Sequence, residues 1–184
     1  MSEEVRQCWR VWPGEINDKT IDRILDEVKV PTCVGKVGGG GYKPEVRRSK
    51  VSFLKVPWIL DTLYNYAQHA NTVAFNVNLY KLADVQYTEY HAEQEGHYGW
   101  HSDCSWRRND GLDRKLSIVI QLSDPSEYEG GSFEFSEVTA PKEDLLKPKG
   151  SVLVFPSYQY HRVTPVTKGV RKSLVAWFDG PKWV

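Results

Sequence analysis

The sequence predicts a mainly β domain with helices at its N-terminal end, an α+β fold in which the helices pack on a β-sandwich or barrel. Helical hydrophobic periodicity appears only before residue 72, alternating and short apolar segments follow it, and turn residues separate those segments. A chain of 184 residues can bury about 70 % of its extended surface, enough for one core. We therefore predict a single domain over 1–184, with helical support at about 14–71 and a β core at about 72–184.

The first predicted helix begins after Asn17, a residue type that favours the N-cap position. Its apolar residues recur at helical spacing: Ile21, Ile24, Leu25 and Val28. A second helix is predicted from Pro57, because proline favours the first helical position. We therefore expect two helices, or three if a further short one forms, to pack on one sheet of the β core.

Strands are predicted from Ser49 to Leu54 and, after the second helix, wherever apolar residues alternate with polar ones. The first alternating segment begins at Thr72 and has these apolar members: Val73, Phe75, Val77 and Leu79. Further strands are predicted over 85–91, 115–122, 131–136, 151–155 and 173–178. Glycine and proline pairs between these segments predict the turns of an antiparallel fold.

Gly38–Gly41 is a run of four glycines between the first helix and the first strand. Such a run has large backbone freedom and no side chains to pack. It lacks the Gly-Lys-Ser/Thr that a phosphate loop requires. Two readings stay open, a flexible connector and a mobile lid over a binding site.

Charge and cysteine content narrow the class of protein. Lys+Arg and Asp+Glu both total 24, so the net charge of zero argues against a nucleic-acid binder or a polybasic membrane binder. No apolar run reaches the roughly 20 residues of a membrane span, and the acidic N-terminus does not resemble a signal peptide. Three widely spaced cysteines predict reduced thiols and a cytoplasmic location.

His101 and Asp103 are two residues apart, so on a strand their side chains would point to one face and could share a cation. His161 follows an apolar strand and supplies a third candidate ligand. Two histidines and one carboxylate form the facial triad of non-haem Fe(II) oxygenases. Zinc is the alternative metal, because catalytic zinc also takes such ligands with an open position.

Arg171 favours iron with a keto-acid co-substrate. The turn over 164–169 could fold its strand back beside the strand that carries His161, and neighbouring strands are about 4.8 Å apart. Arginine binds a carboxylate bidentately. Ser173 would face the same way and add a hydroxyl donor. A five-carbon keto-diacid would place its 2-oxo acid on the metal and its distal carboxylate on the arginine.

Several segments occur together as a signature. They are His101-x-Asp103, His161, Arg171-x-Ser173, LSIVIQLSDPSEYEGG at 116–131, GSVLVFP at 150–156, HRVTPV at 161–166, the upstream Tyr90, Gly96 and Tyr98, and Val46–Ser49. With them the chain resembles the 2-oxoglutarate- and Fe(II)-dependent dioxygenases, closest to the prolyl 4-hydroxylase and PKHD-type hydroxylase branch. The resemblance covers about residues 40–184.

The resemblance implies a double-stranded β-helix, the cupin-like jelly roll. It implies that Fe(II) is bound by His101, Asp103 and His161, and that 2-oxoglutarate binds the iron and places its distal carboxylate on Arg171. It also implies O2 as the oxidant and ascorbate as an additional cofactor. Further cofactor-binding positions that it implies are Ser173, Gln121, Tyr90, Tyr98 and Trp177. It also implies that 2-oxoglutarate is decarboxylated to succinate while an unactivated C–H is hydroxylated.

The substrate is expected to be a prolyl residue in a peptide or protein. A free amino acid, a small metabolite or a nucleobase is the alternative, and a non-catalytic jelly-roll binding module is a third. The nucleobase branch is disfavoured because Trp177 stands where its members carry a second arginine. His91, His97 and Cys104 are predicted not to be metal ligands. Four aromatic residues lie near the candidate ligands in sequence, and they could line a substrate groove or only pack: Trp100, Trp106, Tyr158 and Tyr160.

Overall fold

Two antiparallel β-sheets enclose a cavity, and helices pack on the outer face of the larger sheet. The structure is a computed structural model that describes residues 7–28, 33–37, 41–81 and 83–183. The helices are α1 (Asp18–Asp26), α2 (Pro57–Ala70) and α3 (Glu143–Leu146). The strands are β1 (Arg10–Trp12), β2 (Cys33–Val34), β3 (Arg47–Arg48), β4 (Lys50–Leu54), β5 (Ala83–His91), β6 (His97–His101), β7 (Leu112–Gln121), β8 (Tyr128–Gly130), β9 (Phe133–Phe135), β10 (Val152–Pro156), β11 (His161–Val163) and β12 (Val166–Pro181).

The larger sheet has the order β1-β10-β7-β12-β5-β4-β2, with β8 paired to β12, and the smaller sheet has the order β3-β6-β11-β9. Strands that are distant in sequence are therefore neighbours, as in a jelly roll. The predicted α+β class, with helices on one sheet, is confirmed. Each β segment expected after residue 84 also coincides with a strand, with shifted ends.

The helices begin where the sequence predicts. The Asn17 side chain accepts a hydrogen bond from the Thr20 N–H at 2.9 Å and caps α1. Pro57 is the first residue of α2. Apolar faces of both helices join one side of β7, β10 and β12 in the main core. The other side of β7 and β12 is left to line the cavity, whereas the other side of β10 packs Leu153 and Phe155 against Phe135.

Alternation along β12 decides which side chains reach that cavity. Leu174, Ala176 and Phe178 are fully buried against the helices. Arg171 and Ser173 belong to the opposite set, which faces the smaller sheet. One strand thus contributes both to the core and to the site.

The strand expected over 73–79 is wrong. Residues Asn71–Phe75 form a π-helical turn that continues α2, and Asn76 then adopts a left-handed backbone with φ 50°. The Asn71 side chain exchanges two hydrogen bonds of 2.8 Å with the Val77 backbone. Phe75, Val77 and Leu79 pack against the main core without a hydrogen-bonded ladder, whereas Val73 is 48 % exposed. The next strand is β5, which begins at Ala83.

The expected pairing of the His161 and Arg171 strands is also wrong. β11 pairs with β6 and β9, whereas β12 pairs with β5, β7 and β8. Pro165 has no N–H and cannot continue the ladder of β11. The next N–H, from Val166, bonds to the Gly96 carbonyl at 2.9 Å as the chain crosses to the larger sheet. His161 and Arg171 therefore reach one cavity from opposite sheets.

Gly38, Gly39 and Gly40 lie outside the described residues. Gly41 is described and exposed. The choice between connector and lid for Gly38–Gly41 accordingly stays a prediction.

Candidate active site

Both sheets line the cavity. The smaller sheet contributes Arg47, Tyr98, His101, Phe133, His161 and Val163, Asp103 follows β6, and the larger sheet contributes Gln86, Tyr90, Val119, Arg171, Ser173, Val175 and Trp177. Most of the predicted site residues therefore share one cavity.

The three candidate metal ligands meet at the end of β6. His101 ends β6 and is directly paired with His161, the first residue of β11. Asp103 lies in the bend after β6 and not on a strand, and its N–H bonds to the Ser157 carbonyl at 2.9 Å. One ligand atom from each residue lies within 4.8 Å of the others. Each histidine Nε2 is 3.6 Å from an Asp103 carboxylate oxygen.

Hydrogen bonds orient both imidazoles. His101 Nδ1 bonds to the Gly99 carbonyl at 2.8 Å, and His161 Nδ1 bonds to the Gln159 carbonyl at 2.9 Å. A carbonyl only accepts, so each Nδ1 carries the proton and each Nε2 presents a lone pair to the cluster. This is the outer-shell arrangement of metal-binding histidines, and the donor set fits a divalent metal.

The protonation states agree with that fit. Burial, and next the neighbouring His161, lower the pKa of His101 to about 4. Burial alone would raise the pKa of Asp103, but His161, His101 and the Ser117 hydroxyl outweigh it and lower that pKa. Neutral imidazoles and an ionised carboxylate are the forms that ligate metals.

Ser117 on β7 supports Asp103 from outside the cluster. Its hydroxyl donates to Asp103 Oδ2 at 2.7 Å and contacts the Ser157 hydroxyl at 2.9 Å. We expect Ser117→Ala to weaken metal binding by about 10- to 100-fold, because an unsupported carboxylate loses its orientation. Titration with Mn(II) would measure this, with Ser126→Ala, on an exposed turn, as the control. Unchanged affinity in Ser117→Ala would contradict the role.

Arg171 is a buried cation without a counter-ion. It is 6 % exposed, and among the described residues its guanidinium forms no hydrogen bond or ion pair. Its guanidinium lies 5.7 Å from the centre of the Tyr90 ring. A buried, unpaired charge is costly unless a ligand supplies the opposite one. The position therefore suits an anionic group bound in the cavity.

Gly131 packs directly on Arg171. Its φ is +63°, and an added Cβ would lie 2.9 Å from Arg171 Cδ and Val166 Cγ2. We expect Gly131→Ala to cost about 1–2 kcal/mol of folding free energy from backbone strain and also to displace Arg171. Gly111→Ala is the control, because Gly111 has φ +80° with open space around its Cβ position. Thermal unfolding should show a loss in both variants, and a larger one in Gly131→Ala because of its close contacts. Only Gly131→Ala should weaken anion binding, and equal anion affinities in the two variants would contradict the contact.

The other predicted cofactor-binding residues differ in placement. Ser173 is buried beside Arg171, and the Tyr98 ring stacks on His101 with 3.5 Å between centroids. The Trp177 indole N–H lines the same cavity and has no acceptor. Gln121 is turned away, since its Nε2 donates to the Tyr128 hydroxyl at 2.9 Å; it borders a smaller cavity behind Arg171. Roles in cofactor binding stay predictions for all of them.

The residues predicted not to be ligands lie apart from the cluster. His91 bonds to Glu89 at 2.8 Å, His97 bonds to the Glu95 carbonyl at 2.7 Å, and the Cys104 thiol donates to the Arg114 carbonyl at 3.1 Å. The aromatic residues near the ligands are exposed by 39–66 %: Trp100, Trp106, Tyr158 and Tyr160. They line no part of the cavity.

Sequence reasoning missed four contributors. Arg47 and Gln86 line the cavity, Ser117 supports Asp103, and the Phe133 ring stacks on His161 with 5.3 Å between ring centroids. The available signals were weak. Arg47 lies in the segment that resembles the entry to the barrel, and alternation along β7 puts Ser117 on the inner face.

Comparisons with known proteins agree with this geometry. A family model described as the 2OG-Fe(II) oxygenase superfamily matches residues 85–179, just over half of the chain. The PKHD-type hydroxylase YbiX of Escherichia coli (strain UMN026) is 28 % identical over 175 residues, covering 91 % of this chain and 76 % of that protein. A PKHD-type hydroxylase of Synechococcus sp. (strain CC9902) is 39 % identical over 82 residues, which cover 45 % of this chain and 36 % of that protein. The chain thus spans little more than a third of this cyanobacterial relative.

Solved structures confirm the double-stranded β-helix. A viral collagen prolyl hydroxylase of Paramecium bursaria Chlorella virus-1, in a 2OG complex, superposes with a TM-score of 0.71 at 17 % identity, covering 95 % of this chain and 97 % of that one. A prolyl hydroxylase of Trichoplax adhaerens, in complex with a hypoxia-inducible-factor peptide fragment, superposes with a TM-score of 0.72 at 14 % identity, covering 92 % of this chain and 82 % of that one.

Among the described residues, no helix is both long and apolar enough to cross a membrane.

Proposed function

The chain belongs to the 2OG-Fe(II) oxygenase superfamily, and from this membership we propose that it is a 2-oxoglutarate- and Fe(II)-dependent dioxygenase that hydroxylates an unactivated C–H bond. The observation that carries the proposal is Arg171, a buried guanidinium with no counter-ion in the part of the chain that the structure describes. It shares one cavity with a cluster of two histidines and a carboxylate. A metal site alone would fit zinc or a structural ion. The added anion site argues for a chelating keto-acid with a second carboxylate.

Each part of the chain has a separate task in this proposal. His101, Asp103 and His161 would hold the metal, and Arg171 would fix the distal carboxylate of 2-oxoglutarate, with the Ser173 hydroxyl beside it. When bound, Fe(II) and 2-oxoglutarate would supply the chemistry in which one oxygen atom of O2 enters the C–H bond as hydroxyl and the other enters succinate, while 2-oxoglutarate loses CO2.

The remaining walls orient the substrate and exclude water. Val119, Phe133, Val163 and Val175 give the cavity an apolar lining around the ligands. An apolar lining strengthens the charge contacts of Arg171 and Asp103, since few water dipoles screen them. It also limits the orientations in which a substrate can reach the metal cluster.

A prolyl residue in a peptide or protein is the proposed substrate. Support comes from relatives named PKHD-type hydroxylase and from solved structures named prolyl hydroxylase, one with a peptide fragment. The alternative is the same chemistry on a free amino acid, a small metabolite or a nucleobase, and a non-catalytic binding module is the third candidate. The net charge of zero still disfavours nucleic acid.

Turnover with a peptide panel tests the proposal. Protein purified without O2 should bind Fe(II) and 2-oxoglutarate, and should release succinate when O2 and a prolyl peptide are added, with a mass gain of one oxygen on the peptide. Zinc as the resident metal, or no succinate with any peptide, amino acid or small metabolite, would favour the binding module. Succinate formation with amino acids but not with peptides would favour the alternative substrate class.

Two further expectations belong to this proposal. Ascorbate should raise the number of turnovers before inactivation, which the same assay measures with and without it. A cytoplasmic location, predicted from the cysteines, would be tested by fractionating cells. Neither expectation affects the assignment of the reaction class.

A further inference from the structure

We propose that Arg47 binds a carboxylate carried by the substrate and thereby selects an acidic substrate over a neutral one. This rests on the proposed function, and it narrows the prolyl substrate to one with a carboxylate within reach of the cavity. The residue has no role in holding the metal or the distal carboxylate of 2-oxoglutarate.

Arg47 is a second buried cation that faces the cavity. It is 5 % exposed and lines the wall on the smaller sheet, opposite the strand of Arg171. Among the described residues its hydrogen-bond partners are neutral: Nε donates to the Ser49 hydroxyl at 2.7 Å, and Nη1 donates to the Lys36 carbonyl at 3.3 Å. Neutral acceptors satisfy some of the five N–H groups but leave the charge uncompensated.

The guanidinium lies close to the reacting position. It stands 4.5 Å from the centre of the Tyr98 ring, and that ring stacks on His101 at 3.5 Å. A single aromatic ring therefore connects Arg47 to a candidate metal ligand. A group bound by Arg47 would be positioned beside the metal cluster and not in the depth of the site.

A charge count over the cavity points to an anion. Among the described residues that line it, Arg47 and Arg171 are positive and Asp103 alone is negative. A divalent metal and the 2-oxoglutarate dianion cancel each other, and Asp103 offsets one arginine. One positive charge is left over in a space with few water dipoles, which favours a substrate that brings a carboxylate.

The local backbone fixes this orientation. An added Cβ at Gly35 would lie 2.4 Å from Ser49 Oγ and 2.8 Å from Arg47 Nε, so the bare backbone packs on their hydrogen bond. The neighbouring Arg48 has a counter-ion instead, because its side chain reaches outward to an ion pair of 2.6 Å with Glu95. Arg48 is therefore a matched control on the same strand.

The test is binding to the protein loaded with Mn(II) and 2-oxoglutarate, measured by titration calorimetry. The probes are N-acetyl-L-proline, which has a carboxylate, and its neutral N-methylamide. We expect wild type and Arg48→Gln to prefer the carboxylate by about tenfold or more, as charge-assisted hydrogen bonds imply. The preference should fall to about twofold or less in Arg47→Gln and be partly kept in Arg47→Lys.

A second pair of probes identifies the source of the carboxylate. Acetyl-Pro-Asp-amide against acetyl-Pro-Asn-amide tests an acidic side chain, whereas N-acetylproline tests a terminal carboxylate. A preference for the acidic member in either pair, dependent on Arg47, supports the inference and names the source.

Three results would overturn the inference. The first is a wild-type preference for the carboxylate probe that survives in Arg47→Gln. The second is that wild type shows no preference for the acidic member of either pair, or binds neither acidic probe at millimolar concentration. The third is a loss of 2-oxoglutarate affinity in Arg47→Gln as large as that in Arg171→Gln, which would move Arg47 to the co-substrate site. In the first two cases wild type would still bind Mn(II) and 2-oxoglutarate and the proposed function would stand. Failure to bind these two would instead remove the proposed function.

Discussion

Replacing Arg171 by leucine should stabilise the ligand-free protein and abolish its binding of 2-oxoglutarate. The guanidinium is 6 % exposed and has no counter-ion among the described residues, so folding desolvates a charge without compensation. Replacing buried charges by apolar groups can raise stability by about 1–4 kcal/mol. Losing the partner of a buried carboxylate costs about 2–5 kcal/mol of binding, which is roughly 30-fold to several thousand-fold in affinity.

Thermal unfolding with and without Mn(II) plus 2-oxoglutarate measures both effects at once. Arg171→Leu should unfold at a higher temperature than wild type without ligand, and ligand should no longer raise that temperature. Lys168→Leu is the control on the same strand, because Lys168 is exposed and pairs with Glu129 at 3.0 Å. It should change stability by less than about 1 kcal/mol and leave the ligand response intact. A destabilised Arg171→Leu that still responds to 2-oxoglutarate would contradict the anion site.

Asp103→Asn should reduce succinate formation to background and weaken metal binding by more than about 100-fold. Loss of a hydrogen-bond partner of a metal ligand already costs about 10- to 100-fold in metal affinity, and this substitution removes the charge of the candidate ligand itself. The amide keeps the size of the side chain and an oxygen that can accept from Ser117, so the fold should be preserved.

Asp110→Asn is the matched control for this change. Asp110 is an exposed carboxylate in the following loop that pairs with Arg108 at 2.7 Å. It should match wild type in Mn(II) affinity and in succinate release. Succinate release by Asp103→Asn at the wild-type rate would exclude Asp103 as a ligand, whatever the fold of the variant.

Local chemistry in the sequence was sufficient for the starts of α1 and α2 and for the choice of three candidate metal ligands. Asn17 and Pro57 favour helix starts in any context, and both begin helices here. His101, Asp103 and His161 were singled out because their chemistry is rare in combination, and the structure brings them within 4.8 Å. Period-2 alternation located most strands for the same local reason.

The hydrophobic alternation after residue 72 predicted a strand where the residues pack on the core without forming one. Phe75 and Val77 follow a strand-like period, yet the chain there forms a π-helical turn because Asn71 binds the Val77 backbone. A hydrophobic period reports which residues are buried and is silent on the hydrogen bonds that the backbone makes.

The sequence by itself determined the class of fold and selected three candidate metal ligands and Arg171, which the structure places in one cavity. Tertiary structure alone decided that His161 and Arg171 come from opposite sheets, that Gln121 turns away to Tyr128, and that Arg47 faces the cavity as a second uncompensated cation. The physical reason is that ligand chemistry and alternation are local properties of the chain. Sheet order and charge balance within a cavity depend instead on contacts between residues far apart in sequence.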